Sequence, residues 1–175
     1  MSIEVKFSIL NLCLGGDPYE DIVTTEDELF SNLEKYRADL TQLRAFEGGI
    51  ISISSLDSPD NAIEIRDDLG VLIHQLCFEG VIKLVSNQPV EFRYGTYYGK
   101  LSVALEDEMV SISDNGAPSV KFLRVQLLPV LYQCGERFMD ILRYVSLHTA
   151  DYNLESVYKL SADTKQALQK VALIQ

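Results

Sequence analysis

The first apolar residues of the chain recur at every second position. They are Ile3, Val5, Phe7 and Ile9. A period of two is typical of a strand with one buried face. The pattern predicts a strand over residues 3–14, which ends at the turn-forming sequence Gly-Gly-Asp-Pro at 15–18.

Strand-forming patterns return in two later regions. Residues 50–54 and 62–65 predict the two strands of a hairpin, joined by residues 56–61, because Asp, Ser, Pro and Asn favour turns. The region after Pro89 predicts an antiparallel meander of three or four strands. Its segments are 90–94, 101–105, 109–113 and 120–122, with a turn at 114–118.

Other segments carry apolar residues at helical spacing. The predicted helices span residues 25–44, 67–85 and 124–147, and a short C-terminal helix follows a break at 161–163. Thr25 and Glu28 predict a capping box for the first helix, and Asp67 or Asp68 can cap the second. Pro129 fits the third helix only if it lies in the first turn.

The order of these elements predicts the fold class. Strands and helices are mixed without regular β-α-β alternation, which favours an α+β fold with a mainly antiparallel sheet of about five to six strands and helices packed on it. A chain of 175 residues is long enough for one core, and no linker or repeat interrupts it. We therefore expect residues 1–175 to form a single domain.

Negative charge is concentrated in the first part of the chain. The formal net charge is −11, and residues 1–70 contain 15 acidic against 5 basic side chains. Such a surface repels phosphate backbones, so we expect no direct nucleic-acid binding and instead a basic protein partner. The alternative is that the acidic balance only confers solubility.

Cysteine and histidine are too sparse and too scattered to predict a metal site or a cofactor. The three cysteines, at 13, 77 and 134, have apolar neighbours and are expected to be buried thiols. His74 is expected to be a buried imidazole, and His148 to interact with a helix C-terminus. No phosphate-binding loop and no Gly-x-Ser-x-Gly sequence is present, so the chain is predicted not to be an enzyme.

The segment 91–99 is rich in residue types that dominate binding interfaces. It contains Arg93, Tyr94, Tyr97 and Tyr98. Tyrosine and arginine bury a large area and keep a polar tip, so these four residues are candidate anchors for a partner. The alternative is that they are ordinary strand residues, with Phe92 and Tyr94 facing the core.

Three segments resemble a family of small bacterial proteins. They are 67–79, 93–99 and 128–138, within a likeness that covers roughly residues 60–145. The layout is similar to that of immunity proteins of polymorphic and contact-dependent toxin systems. The resemblance implies an antidote that binds one cognate toxin domain and blocks its active site or its assembly.

Under this interpretation the acidic segments and the Arg/Tyr segment would face the toxin. The predicted partner-binding residues are Asp57, Asp60, Glu64, Asp67, Asp68, Arg93, Tyr94, Tyr97, Tyr98, Glu106, Asp107 and Glu108. Two alternatives stay open: an enzyme of unfamiliar type with a carboxylate- or His74-containing pocket, and an oligomerising structural subunit that exposes an apolar stripe around Leu168 and Val171.

The start of the chain and its hydropathy predict the compartment. Glu4 stands where a signal peptide would be basic, and no apolar stretch approaches the roughly 18 residues of a membrane helix. We therefore expect a cytoplasmic protein that does not interact with membranes. The oligomeric state is left open.

Overall fold

The computed structural model describes residues 2–11, 22–42, 45–93, 100–148 and 154–175. Within these residues the chain forms two four-stranded antiparallel sheets and five helices. The strands are β1 (Ile3–Leu10), β2 (Val23–Thr25), β3 (Gly49–Ser55), β4 (Ser58–Asp67), β5 (Val90–Arg93), β6 (Lys100–Glu106), β7 (Met109–Asp114) and β8 (Val120–Leu123). The helices are α1 (Glu26–Ser31), α2 (Leu33–Leu40), α3 (69–85), α4 (Arg124–Ser146) and α5 (Glu155–Lys170). The predicted α+β class is confirmed, but the single sheet of five to six strands is replaced by two sheets of four.

The first sheet has the strand order β2-β1-β3-β4. Its alternation is the one predicted for β1, whose apolar side chains at odd positions are all buried on one face. Antiparallel register aligns this face across the sheet, with Phe7 opposite Ile51 and Val5 opposite Ile53. The sheet therefore presents one continuous apolar surface to the helices.

The hairpin of β3 and β4 is tighter than predicted. Only Leu56 and Asp57 lie between the two strands, because residues 58–61, expected in the turn, already belong to β4. The register shifts between Ser54 and Ser55, and β4 is an edge strand of its sheet, where proline is tolerated.

The second sheet is the predicted meander, with the order β5-β6-β7-β8. Its turns use residues that tolerate positive φ: Asp107 has φ 55° and Asn115 has φ 50°. The edge strands of the two sheets approach each other, since Asn61 Nδ2 in β4 donates to Lys121 O in β8 at 2.9 Å. This contact joins the sheets through a side chain and not through a backbone ladder.

The predicted helix over 25–44 is two helices. Thr25 Oγ1 accepts from Glu28 N at 3.3 Å, which confirms the predicted N-cap. The chain then leaves helical geometry at Asn32, which has φ −138° and ψ 32°. The Asn32 side chain donates to Glu28 O at 2.9 Å, and such competition with backbone bonds explains the break.

Helix α3 is continuous but not uniform. Asp68 Oδ1 caps it by accepting from Val71 N at 2.8 Å. Its ends, Leu69–Leu72 and Val81–Val85, are α-helical, whereas the middle, Ile73–Gly80, is a π-helix. The wider turn leaves no room for a side chain at Gly80, where a Cβ would lie 2.8 Å from Gln75 O. The sequence pattern does not indicate this π-helical segment.

Two predictions about the last helices are wrong. Pro129 lies in the second turn of α4 and not in the first. Residues 161–163 do not break the C-terminal helix, because Ser161 donates its hydroxyl to Glu136 Oε1 on α4 and so is tied down within α5. Leu168 on α5 is fully buried, so the apolar face of that helix packs against this same chain. Among the described residues, the buried apolar side chains of both sheets and all five helices form one core cluster.

Candidate functional site

The predicted partner-binding residues do not form one surface. Asp57 is in the turn before β4 and Asp68 follows the end of β4, so the length of the seven-residue partner strand β3 places them roughly 25 Å apart. Asp60 and Glu64 are exposed along β4, and Glu64 lies 3.9 Å from Arg66. Tyr94, Tyr97 and Tyr98 lie outside the described residues.

Asp67 differs most from its predicted role. Strand alternation turns it inward with Ile65, and it is only 1% exposed, so its carboxylate is not available to a partner. Arg93 is exposed at the end of β5, and Phe92 beside it is buried, as the alternative interpretation of this segment predicts.

Other acidic residues of the first 70 positions are occupied within the molecule. Glu26 is buried in an ion pair with Arg137, and Glu4 and Asp27 both contact Lys6, at 3.2 and 3.1 Å. Glu28 accepts a hydrogen bond from the Tyr36 hydroxyl. Among the described residues of this region, the concentration of acids in the sequence is therefore not a concentration on one face.

Two acidic turns line separate pockets at the first turns of α4. The β6–β7 turn is held there because Arg124 N donates to Glu108 O at 2.9 Å. Asp57 lines a shallow pocket of about 440 Å³ together with Gln126 and Val130 of α4. Asp57, Asp107 and Glu108 are all exposed, and each lines one of the two pockets beside the start of this helix.

Apolar side chains are exposed between and beside these acids. Leu56 is 60% and Val125 is 59% exposed, and only Leu147, at 80%, is more exposed among the described large apolar residues. Val125 and Val171 line a second pocket of about 430 Å³ with Asp107 and Glu108. We call the set Leu56, Asp57, Asp107, Glu108, Val125 and Val171 the α4 entry surface.

The backbone beneath the α4 entry surface is rigidly supported. The Arg124 guanidinium donates to Asn87 Oδ1 at 2.7 Å and to the Leu84 and Val85 carbonyls at 2.7 and 3.0 Å. These carbonyls belong to the last turn of α3, where a cation is favoured by the helix dipole. One arginine thus fixes the end of α3, the β6–β7 turn and the start of α4 relative to each other.

Hydrogen bonds lower the pKa of two carboxyl groups in these turns, Asp57 and Glu106. The Ser2 backbone N–H donates to Asp57 Oδ2 at 2.8 Å and lowers the pKa of that carboxyl below its usual value. Lys121 lowers the pKa of Glu106 in the same way through a direct ion pair. Since Glu106 is neutralised by this lysine, we leave it out of the α4 entry surface.

Sequence reasoning missed the apolar half of this surface. Val125 lies three residues before Leu128, and this spacing predicts that both share the buried face of α4. Leu128 is buried, but Val125 is exposed and lines a pocket together with Asp107 and Glu108. No local signal in the sequence distinguishes the two.

The cysteines and histidines occupy different environments. Cys77 and Cys134 are buried, as predicted, and also lie beside each other, which was not predicted; burial raises the pKa of the Cys77 thiol well above its usual value. Cys13 lies outside the described residues. His74 is exposed on α3, contrary to prediction, and His148 Nδ1 lies 3.1 Å from Tyr144 O at the end of α4.

Within the described part of the chain, no group of three or more His, Cys, Asp or Glu side chains is arranged to hold a metal ion. The helices described here are all too short or too polar to cross a bilayer. The chain matches no protein-family model, no curated protein and no solved structure.

Proposed function

We propose that this chain is a non-enzymatic protein-binding module that engages a basic protein through the α4 entry surface. The observation that carries the proposal is the combination of exposed Leu56 and Val125 with the carboxylates of Asp57, Asp107 and Glu108. Exposed apolar side chains with a charged rim are typical of protein interfaces.

The two kinds of side chain have different physical roles in binding. The apolar side chains supply affinity, because they lose water contact when a partner covers them. The carboxylates speed association with a basic protein and disfavour acidic competitors. The net charge of −11 acts in the same direction over a longer range.

We further propose that the partner is a toxin domain and that the chain is its cytoplasmic antidote, in line with the resemblance to immunity proteins. Toxins that act on nucleic acids need basic grooves to hold phosphates. An acidic protein with a supported, preformed surface can occupy such a groove and exclude the substrate. Little rearrangement is needed on this side, because Arg124 already fixes the elements beneath the surface.

Co-expression with the product of the neighbouring gene tests the proposal. The antidote hypothesis expects rescue of growth and a complex that co-purifies. The triple variant Asp57→Asn, Asp107→Asn, Glu108→Gln should weaken the complex by about tenfold or more at low salt, mainly through slower association. Asparagine tolerates the positive φ that Asp107 adopts, so the turn is retained.

A second triple variant controls for overall charge. Glu34→Gln, Asp39→Asn, Asp163→Asn removes the same number of negative charges from residues away from the α4 entry surface. It should leave affinity close to wild type, and equal weakening by both triple variants would mean that only net charge matters. Val125→Thr, which is nearly isosteric, should weaken binding without changing its salt dependence. Growth and co-purification that are indifferent to the chain would remove the antidote hypothesis.

A further inference from the structure

One of the two pockets beside the start of α4 is mainly apolar, and we call it the Val125 groove. Its volume of about 430 Å³ is within the range of pockets that hold ligands, roughly 300 to 1,000 Å³. Four separate parts of the chain build it: the end of α3, the end of β8, the start of α4 and the segment after α5. Its apolar lining residues are Val85, Leu123, Val125, Val171 and Leu173.

The segment after α5 turns back to form one wall of the Val125 groove. Leu173 N donates to Leu168 O at 3.0 Å. Ala172 N donates to Gln169 O, also at 3.0 Å, so the helix ends in a Schellman motif. Ala172 takes the left-handed position of this motif, with φ 57°, where glycine is usual. Leu173 packs against the core, while Val171 stays 45% exposed, so the wall is already formed before a ligand arrives.

The rim of the Val125 groove carries two carboxylates that are available to a ligand. Asp107 and Glu108 are exposed in the β6–β7 turn, and neither side chain forms an ion pair or a hydrogen bond with a described residue. The turn itself is fixed, because Arg124 N donates to Glu108 O at 2.9 Å. Asp57 in the other pocket differs, since its carboxylate already accepts from Ser2 N at 2.8 Å. The two available carboxylates therefore belong to the Val125 groove.

Arg124 is the only cation among the described lining residues of the groove, and its guanidinium is directed at α3. It donates to Asn87 Oδ1 and to the Leu84 and Val85 carbonyls. Its charge thus lies at the C-terminus of α3, where the helix dipole favours a cation. The lining carries two negative charges against this one positive charge, so the rim favours a further cation over an anion.

We propose that the Val125 groove receives a basic side chain of the protein partner, a lysine or an arginine; this inference rests on the function proposed for the α4 entry surface. The alkyl stem lies on Val125 and Val171, and the cationic head lies at the carboxylates of Asp107 and Glu108. Long basic side chains bury their methylene groups on apolar surface and keep their charge in water at the rim. An acidic side chain would meet repulsion, and a neutral one would leave the carboxylates without a cation.

Three straight-chain probes of matched length test the chemistry of the groove without the partner: hexylamine, 1-hexanol and hexanoate. Binding is followed by the methyl NMR signals of Val125, Val171 and Leu173. The amine should bind with a Kd of about 1 mM, as expected for so few atoms. It should bind about fivefold more tightly than the alcohol, the preference that two solvent-exposed ion pairs supply. Hexanoate should bind more weakly than the alcohol.

Charge-removing variants show whether the rim carboxylates cause this preference. Asp107→Asn, Glu108→Gln should lower amine affinity about fivefold, to that of the alcohol, and leave alcohol binding unchanged. Asparagine keeps the positive φ of the turn. Glu34→Gln, Asp39→Asn is the matched control, because it removes two charges from α2, which contacts α4 near Tyr144 at its other end. The control should leave the preference for the amine unchanged.

A variant of the apolar wall separates the stem from the head of the ligand. Val171→Thr, which is nearly isosteric, should weaken the amine and the alcohol together by about twofold and leave their ratio unchanged. Equal affinity for the amine and the alcohol, or an equal loss in the rim variant and in its control, would overturn the inference. Methyl signals of Val125 and Val171 that do not shift with the amine up to about 10 mM would remove the groove as a binding site.

Binding to the product of the neighbouring gene distinguishes this inference from the function on which it rests. Asp107→Asn, Glu108→Gln should weaken the complex, and Asp57→Asn alone should leave it close to wild type. A complex that is weakened by Asp57→Asn and not by the rim variant would overturn the inference and leave a binding function at the α4 entry surface. The absence of any complex, with probes that still bind as expected, would remove the proposed function and the partner side chain but not the cation preference of the groove.

Discussion

At the scale of single residues, Arg137 makes the contacts that join the two ends of the chain. From α4 it reaches Val5 O in β1 at 2.7 Å and both carboxylate oxygens of Glu26 at the start of α1. Glu26 in turn accepts from Phe7 N at 3.2 Å. Burial alone would lower the pKa of Arg137, but the Glu26 carboxylate raises it above its usual value. Each charged group thus depends on the other for its stability inside the fold.

We predict that Arg137→Met destabilises the protein by about 2 to 3 kcal/mol, because it leaves the Glu26 carboxylate buried without its cation. This loss is below the roughly 3 to 5 kcal/mol expected for breaking a fully buried pair, since the Arg137 side chain is 37% exposed and water reaches it. Urea unfolding followed by far-UV circular dichroism measures the change.

The double variant Arg137→Met, Glu26→Gln is the matched control. A neutral amide costs less to bury than a carboxylate, so the double variant should recover about 1 kcal/mol or more relative to Arg137→Met. A double variant that is no more stable than the single one would show that the lost contact to Val5 O, and not the unpaired charge, dominates.

The Cys77 thiol gives a pH dependence of stability. Its pKa is raised in the fold by burial, whereas in the unfolded chain it ionises near its usual value of about 8.5. Its contribution is therefore complete below about pH 8.5 and is lost as pH rises from there towards the folded-state pKa, by about 1.4 kcal/mol per pH unit. The Cys77→Ala variant should show a shallower loss than wild type between about pH 8.5 and 10. Parallel pH profiles of unfolding free energy in urea would contradict this prediction.

Sequence reasoning at this scale succeeded where the immediate neighbours decide the outcome. The burial of Cys77 and Cys134 follows from the apolar residues around them, and the caps at Thr25 and Asp68 follow from local hydrogen-bonding chemistry. The exposure of His74 does not follow, because its neighbours Ile73, Cys77 and Phe78 are buried while His74 itself lies on the exposed side of α3. The Glu26–Arg137 ion pair joins residues that are 111 positions apart, so no local sequence pattern predicts it.

At the scale of elements, the structure departs from prediction where a side chain forms a hydrogen bond with a distant element. Residues 58–61 are rich in turn formers but belong to β4, where Ser58 pairs with Ser55 of β3 and Asn61 contacts β8, and these two contacts outweigh their local preference. Ser161 likewise stays helical because its hydroxyl has a partner on α4. The acidic segment 57–68 therefore became a strand, and this separated the predicted site residues.

Pro129 is an exception to the rule that proline is excluded from helix interiors, and its effect on stability can be tested. In the second turn of α4 it removes an N–H that would bond to the carbonyl of Val125, at a position where that residue is largely exposed to solvent. Replacing it with alanine restores the donor and improves helix propensity, and these gains exceed the loss of a half-buried ring. We expect Pro129→Ala to raise the free energy of unfolding by about 1 kcal/mol.

Thermal and urea unfolding of the Pro129→Ala variant measure this change. The variant also tests whether the proline matters for the α4 entry surface, because Val125 belongs to that surface. If stability falls instead, the packing of the Pro129 ring contributes more than the missing hydrogen bond, and the proline is required by the fold.

At the scale of the whole molecule, the sequence predicts the class of the fold but not the division of its strands. The strands of the meander follow one another directly, so their order is readable from turn residues. The position of β1 between β2 and β3, and the approach of β4 to β8, depend on contacts between distant segments that hydrophobic periodicity does not encode. The sequence predicts the number of strands but not how they divide between sheets. A single sheet was therefore the simplest prediction.

The two sheets raise the question of whether they unfold together. Helix α4 packs against β1 of the first sheet and against β7 and β8 of the second, and the core cluster is shared. Neither sheet can lose its strands without exposing apolar residues of α3 and α4. We therefore predict one cooperative transition for the entire chain, as expected of a single domain.

Single-tryptophan reporters test this prediction, because the chain contains no tryptophan of its own. Leu10→Trp places a half-buried reporter in β1, and Leu105→Trp places one in β6. For each variant, the urea midpoint from fluorescence should coincide with the midpoint from circular dichroism. If the β6 reporter changes at lower urea than the circular dichroism signal while the β1 reporter does not, the second sheet opens independently. The acidic β6–β7 turn would then be held at the α4 entry surface only while that sheet is folded.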